Sequence, residues 1–135
     1  MRKIILLGFV SLSIGAMAQN KKYQDAMEKN VAGVDTSRTI EQLQPLENTF
    51  ERIANAEKKE WLPYYYAAYC NVSMSYVVKG DDIDTYCDKA DALVKKADSL
   101  SPDNSEIQAL KAQIAGARIS VNPMVRGRKF GSEAA

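Results

Sequence analysis

Few side chains in this sequence could carry out chemistry. Histidine is absent from all 135 residues, which removes the commonest general base, the commonest metal ligand and every Ser-His or Cys-His nucleophile pair. No paired carboxylate motif implies an acid–base cleft. We therefore predict that the protein is not an enzyme and that it holds neither a metal nor a cofactor.

Two charged clusters could indicate other functions, namely cation binding and phosphate binding. The carboxylates Asp81, Asp82, Asp84 and Asp88 could hold a cation, but a calcium loop needs a central glycine and a closing glutamate that this stretch lacks. A solvated helix start explains the cluster better. The basic run RGRK at 126–129 could contact phosphate, yet one short basic loop is weak support, and we predict no nucleic-acid binding.

The chain begins like a secretory protein. The opening MRKIILLGFVSLSIGAMA has two basic residues, a twelve-residue apolar run and a small-residue site ending at Ala18. A membrane-spanning helix needs about 20 apolar residues. We predict cleavage after Ala18, a periplasmic or secreted product and no stable membrane insertion. Its 16 basic and 17 acidic residues, against 18 and 17 in the full chain, predict no long-range attraction to nucleic acid or anionic membranes.

Export would place Cys70 and Cys87 in an oxidising compartment, where a disulfide must be considered. Helical spacing puts Cys87 on an apolar stripe and turns Cys70 away from the row formed by Tyr65, Tyr69 and Tyr76. A disulfide needs Cα atoms within about 7 Å and converging side chains. We therefore predict two free, mostly buried thiols.

Apolar residues recur at helical spacing along almost the whole mature chain, and no segment alternates as a strand would. The predicted fold class is therefore all-α. Gly33 and Gly80 are predicted to end two of the helices, and the segment 122–131 is predicted to be a loop. The five predicted helices cover residues 21–32, a segment from Pro45 or a kinked turn at Ile40 to about 57, 63–79, 82–100, and a segment from the Asp103–Glu106 capping box to Ala117.

The stretch KADALVKKADSLSPDN carries the most specific pattern. Ala90, Val94 and Ala97 share one helical face, and Pro102 follows the helix. Small residues let a helix approach its neighbour while one larger side chain fills the gap, and the proline turns the chain into the next helix. This spacing resembles the second helix of a tetratricopeptide repeat.

The preceding helix resembles the first helix of such a repeat at Tyr69, Val72, Ser73 and Tyr76. The connection to Ala90 is longer than usual in the family, so the repeat is irregular. The resemblance implies antiparallel helix hairpins stacked as a short right-handed solenoid. The stretch NTFERIANAEKKEWLPYYYAAY and the tail NPMVRGRKFG are also similar to exported tetratricopeptide-like proteins of Bacteroidetes.

The last predicted helix would open another repeat, whose second helix would begin near Ser132. We therefore expect the final repeat to be unfinished and the chain to be the front part of a longer protein. Its apolar edge at Leu110, Ile114 and Ala117 would be partly uncovered and would favour self-association. The predicted organisation is a signal peptide at 1–18, an N-terminal helix pair at 19–60, a tetratricopeptide-like region at 61–121, and a loop with the start of an unfinished repeat at 122–135.

The resemblance implies an exported scaffold that binds a protein or peptide partner on the concave face of its repeat helices. The helix at 82–100 would cover the side that carries Tyr69 and Tyr76, which would turn the opposite apolar strip toward the groove. The alternative is that the N-terminal helix pair packs over this strip and buries it. The predicted partner-binding residues are Ala67, Cys70, Met74, Val77, Glu106, Ala109 and Gln113.

The tyrosines support an alternative function. Tyr64, Tyr65, Tyr66 and Tyr69 could form a stacking platform for a glycan or another small ligand of the cell envelope, although aromatic residues at helical spacing are more often core. Solvent exposure of this cluster would favour a ligand-binding accessory protein, and its burial would count against one.

Overall fold

The computed structural model describes the backbone of residues 4–134 and the side chains of residues 20–134. The described backbone contains helices and no strand, which confirms the predicted all-α class. The predicted signal peptide at 1–18 lies outside the residues whose side chains are described. The helices are α1 (Ile4–Thr36), α2 (Ile40–Ala56), α3 (Trp61–Ser75), α4 (Asp82–Leu100), α5 (Ser105–Val121) and α6 (Pro123–Phe130).

Helix α3 lies at the centre of the molecule. Its most extensive packing is against α2 and α4, and it also touches α1 and α5. Among the described residues α2 and α4 do not contact each other. Helices α1, α3 and α5 therefore form one layer, while α2 and α4 form the other. This arrangement is a stack of helical hairpins, and its finer assignment to the tetratricopeptide class remains a prediction.

The hydrophobic core lies between the two layers. Phe50 of α2, Met74 of α3 and Leu110 of α5 are almost completely buried. Ala90 and Ala97 of α4 are also fully buried, so this helix packs closely through its small residues, as the spacing in KADALVKKADSLSPDN predicted. Within residues 4–134, no helix is both long and apolar enough to span a bilayer.

One predicted helix end near the N-terminus is wrong, and of the two predicted starts of the next helix the structure has the earlier one. Gly33 does not stop α1, because the helix continues to Thr36. A Cβ atom at Gly33 would lie 3.2 Å from Cδ2 of Leu46, so the glycine allows α1 and α2 to approach closely. Helix α2 begins at Ile40 and runs through Pro45. Pro45 lies on the exposed side of the helix, where water can satisfy the backbone carbonyl that the proline leaves unpaired.

The cap of α5 lies one residue later than predicted. The side chain of Asn104 accepts hydrogen bonds from the backbone N–H groups of Glu106 at 3.0 Å and Ile107 at 3.4 Å. Asp103 instead adopts a left-handed conformation, with φ of 60°. Asparagine and aspartate have similar capping preferences, so residue type alone did not decide between the two positions.

The predicted loop at 122–131 is mostly helical. Asn122 accepts a hydrogen bond from the backbone N–H of Val125, and Pro123 occupies the first turn of α6. An asparagine cap followed by proline is a favourable helix start.

The predicted apolar edge of α5 is not uncovered. Leu110, Ile114 and Ala117 are all buried. The Sγ atom of Cys87 on α4 lies 3.9 Å from the backbone oxygen of Ile114, which shows how closely α4 covers this part of α5. The uncovered apolar edge on which the prediction of self-association rested is therefore absent from α5.

Candidate functional site

A row of large aromatic side chains follows one side of α3. Trp61, Tyr65 and Tyr69 are four residues apart and only partly buried, and Tyr76 is 59% exposed directly after the helix. Ring centroids lie 5.7 Å apart for Trp61–Tyr65 and 6.4 Å apart for Tyr65–Tyr69. We call these four residues the tyrosine face. Partly buried aromatic side chains can pack against a ligand without leaving their positions in the fold.

Helix α5 borders the tyrosine face. The Tyr76 hydroxyl donates a hydrogen bond to the backbone oxygen of Gln113 at 3.2 Å. The negative charge of Glu106 acts on Tyr65. The side chains of Glu106, Ala109 and Gln113 are exposed. The α5 part of the predicted partner surface therefore lies on the accessible side of its helix, next to aromatic side chains that the prediction had assigned to the core.

The α3 part of that predicted surface is largely inaccessible. Ala67, Cys70 and Met74 are fully buried, and Val77 alone is 49% exposed. The structure therefore follows the alternative in which the N-terminal helix pair covers the strip. Asn71, also buried, donates a hydrogen bond at 3.1 Å to the Glu47 carboxylate of α2.

Side-chain size explains why the predicted α3 strip is buried while the tyrosine face is accessible. Helix α3 lies between α2 and α4, and a helix that must approach two neighbours needs small side chains on its buried sides. Ala67, Ala68 and Ser75 meet this need, whereas the rings of Tyr65 and Tyr69 are too large for it. Tyr65 and Tyr69 were predicted as part of a ligand platform only in the alternative function, because aromatic residues at helical spacing are more often core.

Tyr64 and Tyr66 have different surroundings. Tyr64 is buried, and its hydroxyl donates a hydrogen bond to the backbone oxygen of Ala54 at 3.2 Å. Tyr66 is partly buried and stacks on Phe50 with a centroid distance of 5.3 Å. Of the predicted tyrosine cluster, Tyr64 is therefore core, while the other members stay partly accessible.

Two phenols of α3, those of Tyr65 and Tyr66, are held in their neutral form. Burial and the negative charge of Glu106 raise the pKa of Tyr65 to about 12. Burial and the charge of Asp35 raise the pKa of Tyr66. A neutral phenol can both donate and accept hydrogen bonds, but it is a poor ligand for a metal ion, which requires the phenolate.

We expect the pKa of Tyr65 to fall toward its ordinary value in Glu106→Gln, because this change removes the adjacent negative charge. Because the folded pKa exceeds the unfolded one, the associated stability is present below about pH 10 and is lost as pH rises through about 12. Ultraviolet absorbance during alkaline titration would measure the shift. Glu28→Gln, at an exposed position on α1, is the control. An unchanged titration in Glu106→Gln would show that burial alone causes the shift.

The acidic cluster of α4 is occupied by arginines. The Arg118 guanidinium lies 2.7 Å from the Asp88 carboxylate and 2.6 Å from that of Asp91, and Arg126 lies 2.7 Å from Asp84. The pKa of Asp84 is lowered, chiefly by its hydrogen bond from Arg126. The described residues contain no group of side chains arranged to hold a metal ion. The cluster instead joins α4 to α5 and α6.

A concave region of about 660 Å³ lies between α4, α5, the end of α6 and the chain that follows it. This is within the range of about 300–1,000 Å³ for small-molecule sites, but such sites are mostly apolar. Nine of its thirteen lining residues are polar or charged, and Asp98 pairs with Lys111 across it at 2.8 Å. The tyrosine face is therefore the better candidate for a flat, apolar ligand.

Cys70 and Cys87 are both free and buried, as predicted. Burial raises the pKa of the Cys70 thiol to about 12 and also raises that of Cys87. Both cysteines are therefore held as thiols, which are poor nucleophiles and poor metal ligands.

No protein-family profile matches the chain. No curated protein matches it either. Among solved structures, it is similar to the HusA haemophore from Porphyromonas gingivalis, a member of the Bacteroidetes, with 34% sequence identity and a TM-score of 0.74. The match covers 83% of this chain and 55% of that one, so this chain spans about half the length of the haemophore structure.

This similarity corrects the predicted function. A haemophore binds a small ligand, so the prediction of a scaffold for a protein or peptide partner is wrong, and the alternative of a small-ligand-binding protein is better supported. The predicted relation to helical proteins of Bacteroidetes is confirmed at that level.

Proposed function

We propose that this protein is an exported binding protein for a planar, largely apolar small molecule of the tetrapyrrole class, which it carries without transforming. The observation that carries the proposal is the 34% identity to a haemophore over 83% of the chain. The tyrosine face supplies the chemistry, because aromatic rings pack favourably against a flat macrocycle and phenol hydroxyls can donate hydrogen bonds to its carboxylates.

The chain's own residues favour recognition of the macrocycle rather than of an iron ion at its centre. Haem iron is usually held by histidine, cysteine, methionine or tyrosine. The sequence has no histidine, both cysteines are fully buried, and so is Met74, the methionine of α3. The pKa of Tyr65 is raised to about 12, which disfavours the phenolate that iron would bind. We therefore expect haem and iron-free protoporphyrin to bind with similar affinity.

The chain's single tryptophan provides a local reporter for this proposal. Trp61 belongs to the tyrosine face and contacts Tyr65, so a bound tetrapyrrole should quench its fluorescence. We expect saturable quenching by haem and by protoporphyrin, together with a shift of the ligand's visible absorption. A free tryptophan derivative at the same ligand concentrations corrects for light absorbed by the porphyrin.

The rival site is tested in the same titration. Lys95→Glu changes the lining of the 660 Å³ region and should leave both quenching and affinity unchanged. A loss of affinity in Lys95→Glu with unaltered Trp61 fluorescence would place the ligand in that region instead. Absence of binding by either porphyrin would refute the proposed function.

A further inference from the structure

Helix α6 has two chemically different sides. At helical spacing, Met124, Val125, Arg128 and Lys129 share one side, while Arg126 and Phe130 lie on the other. The inner side is tied to the rest of the molecule. Arg126 bonds to Asp84 at 2.7 Å, and the guanidinium of Arg118 lies 5.9 Å from the centre of the Phe130 ring. We call Met124, Val125, Arg128 and Lys129 the outer face of α6.

The outer face is accessible, and its two cations form no ion pair with the described residues. Met124 is 93% exposed and Val125 is 70% exposed, the two largest values among the exposed large hydrophobic residues. Arg128 forms no hydrogen bond or ion pair with the described residues. Lys129 lies 5.0 Å from the Phe130 ring and forms no ion pair with the described residues, although with Val125 it borders a concave region that also contains the exposed Asp88. Two apolar and two cationic side chains are therefore exposed close together on α6.

The outer face has a fixed position, because α6 is capped and is bonded to the neighbouring helices. Asn122 caps α6 and Pro123 fixes its first turn. Arg118 is held by carboxylates of α4, and Arg126 shares one of these carboxylates, so the ion pairs anchor α6 to both α4 and α5. The outer face is thus presented on a supported helix, and little ordering is required when it meets a surface.

We propose that the outer face of α6 docks this protein on an anionic lipid surface. Basic side chains beside exposed apolar ones are typical of helices that lie in the membrane interface, where the apolar groups enter the acyl boundary and the cations meet lipid phosphates. A protein partner fits less well, because a stable protein–protein interface needs about 800 Å² on each side, far more than four side chains provide. The near-neutral net charge limits long-range attraction only, while this patch acts at contact distance.

Co-sedimentation with vesicles tests the proposal without any tetrapyrrole, so its outcome is independent of the proposed function. The full chain should bind vesicles made of equal parts phosphatidylcholine and phosphatidylglycerol, should not bind pure phosphatidylcholine, and should be released by salt. Each basic residue contributes about fivefold to partitioning. Arg128→Glu combined with Lys129→Glu should therefore reduce binding by at least about 25-fold.

A matched pair of lysines provides the control. Lys58 and Lys59 are adjacent, exposed and located in the turn between α2 and α3. Reversing both charges changes the net charge by the same amount, but it should weaken binding much less. Met124→Ser with Val125→Ser keeps the charge and should also weaken binding, because the apolar contacts are lost. Circular dichroism of each variant checks that it is folded.

Several results would overturn the proposal. Equal losses in the Lys58–Lys59 pair and in the α6 pair would mean that only net charge matters. Failure of the unmodified chain to bind the mixed vesicles would refute lipid docking directly. Release of the bound protein by inorganic phosphate at constant ionic strength would show a site for the phosphate group alone. Equally tight binding to soluble polyglutamate would show recognition of acidic polymers rather than of a lipid surface.

Discussion

Met74→Arg is expected to unfold much of the protein. Met74 is fully buried in the side of α3 that the N-terminal helix pair covers. An arginine there would place an unpaired charge among apolar side chains, at a cost of several kcal/mol. Small domains are stable by only about 5–15 kcal/mol, so this one substitution would remove a large share of the total. Urea denaturation followed by circular dichroism measures the loss.

Met74→Leu is the matched control, because it keeps the apolar character and approximate volume and should cost less than about 1.5 kcal/mol. Alkylation supplies a second measurement on the same strip. Cys70 should react very slowly in the native protein, since it is buried and its thiol pKa is raised to about 12, and quickly in denaturant. A folded, thermally stable Met74→Arg protein with a rapidly alkylated Cys70 would show that the strip is open to solvent.

Helix α4 shows what local sequence can specify. Its bounds, Asp82 and Leu100, match the prediction. Aspartates in the first turn interact favourably with the helix dipole. The apolar stripe through Ala90 and Ala97 has a clear helical period, and Pro102 prevents the helix from continuing. Each of these features acts within a few residues, so no knowledge of distant parts of the chain is needed.

Helix α3 shows what local sequence does not specify, namely which side of a helix its neighbours cover. Both of its apolar strips have helical period, so periodicity alone cannot say which one its neighbours cover. Which strip is covered depends on side-chain volume, because α2 and α4 both pack extensively against α3 and the small residues Ala67, Ala68 and Ser75 allow this. Ala67 and Ala68, which are small and fully buried, mark the covered side of α3. Small residues let a helix approach its neighbour, as was argued for Ala90 and Ala97. The same argument applied to α3 would have predicted that its tyrosines lie on the accessible side.

The candidate site was less predictable than the fold, because it depends on pairs of residues far apart in sequence. Tyr76 and Gln113 meet across two helices, although 37 positions separate them. The influence of Glu106 on Tyr65 likewise requires α3 and α5 to lie side by side. A single sequence identifies the aromatic spacing, but it does not reveal which polar groups will border it.

Replacing the central rings of the tyrosine face should weaken tetrapyrrole binding strongly. Tyr65→Leu combined with Tyr69→Leu keeps apolar bulk on α3 but removes two rings and two hydroxyls. An aromatic contact contributes about 0.5–1.5 kcal/mol beyond its buried area, so two lost contacts correspond to an affinity loss of roughly 5- to 150-fold. Titration with iron-free protoporphyrin, followed by Trp61 fluorescence, measures the change without any contribution from iron.

Tyr86→Leu is the control for this double variant, since Tyr86 is also a partly buried tyrosine but belongs to α4, in the other layer. It should leave affinity unchanged at a similar cost in stability. Thermal unfolding of all three proteins separates lost binding from lost folding. Because the contacts proposed here are with the macrocycle, haem affinity should fall by the same factor as protoporphyrin affinity. A loss confined to haem would instead mean that one of the two phenols binds iron, despite the raised pKa of Tyr65.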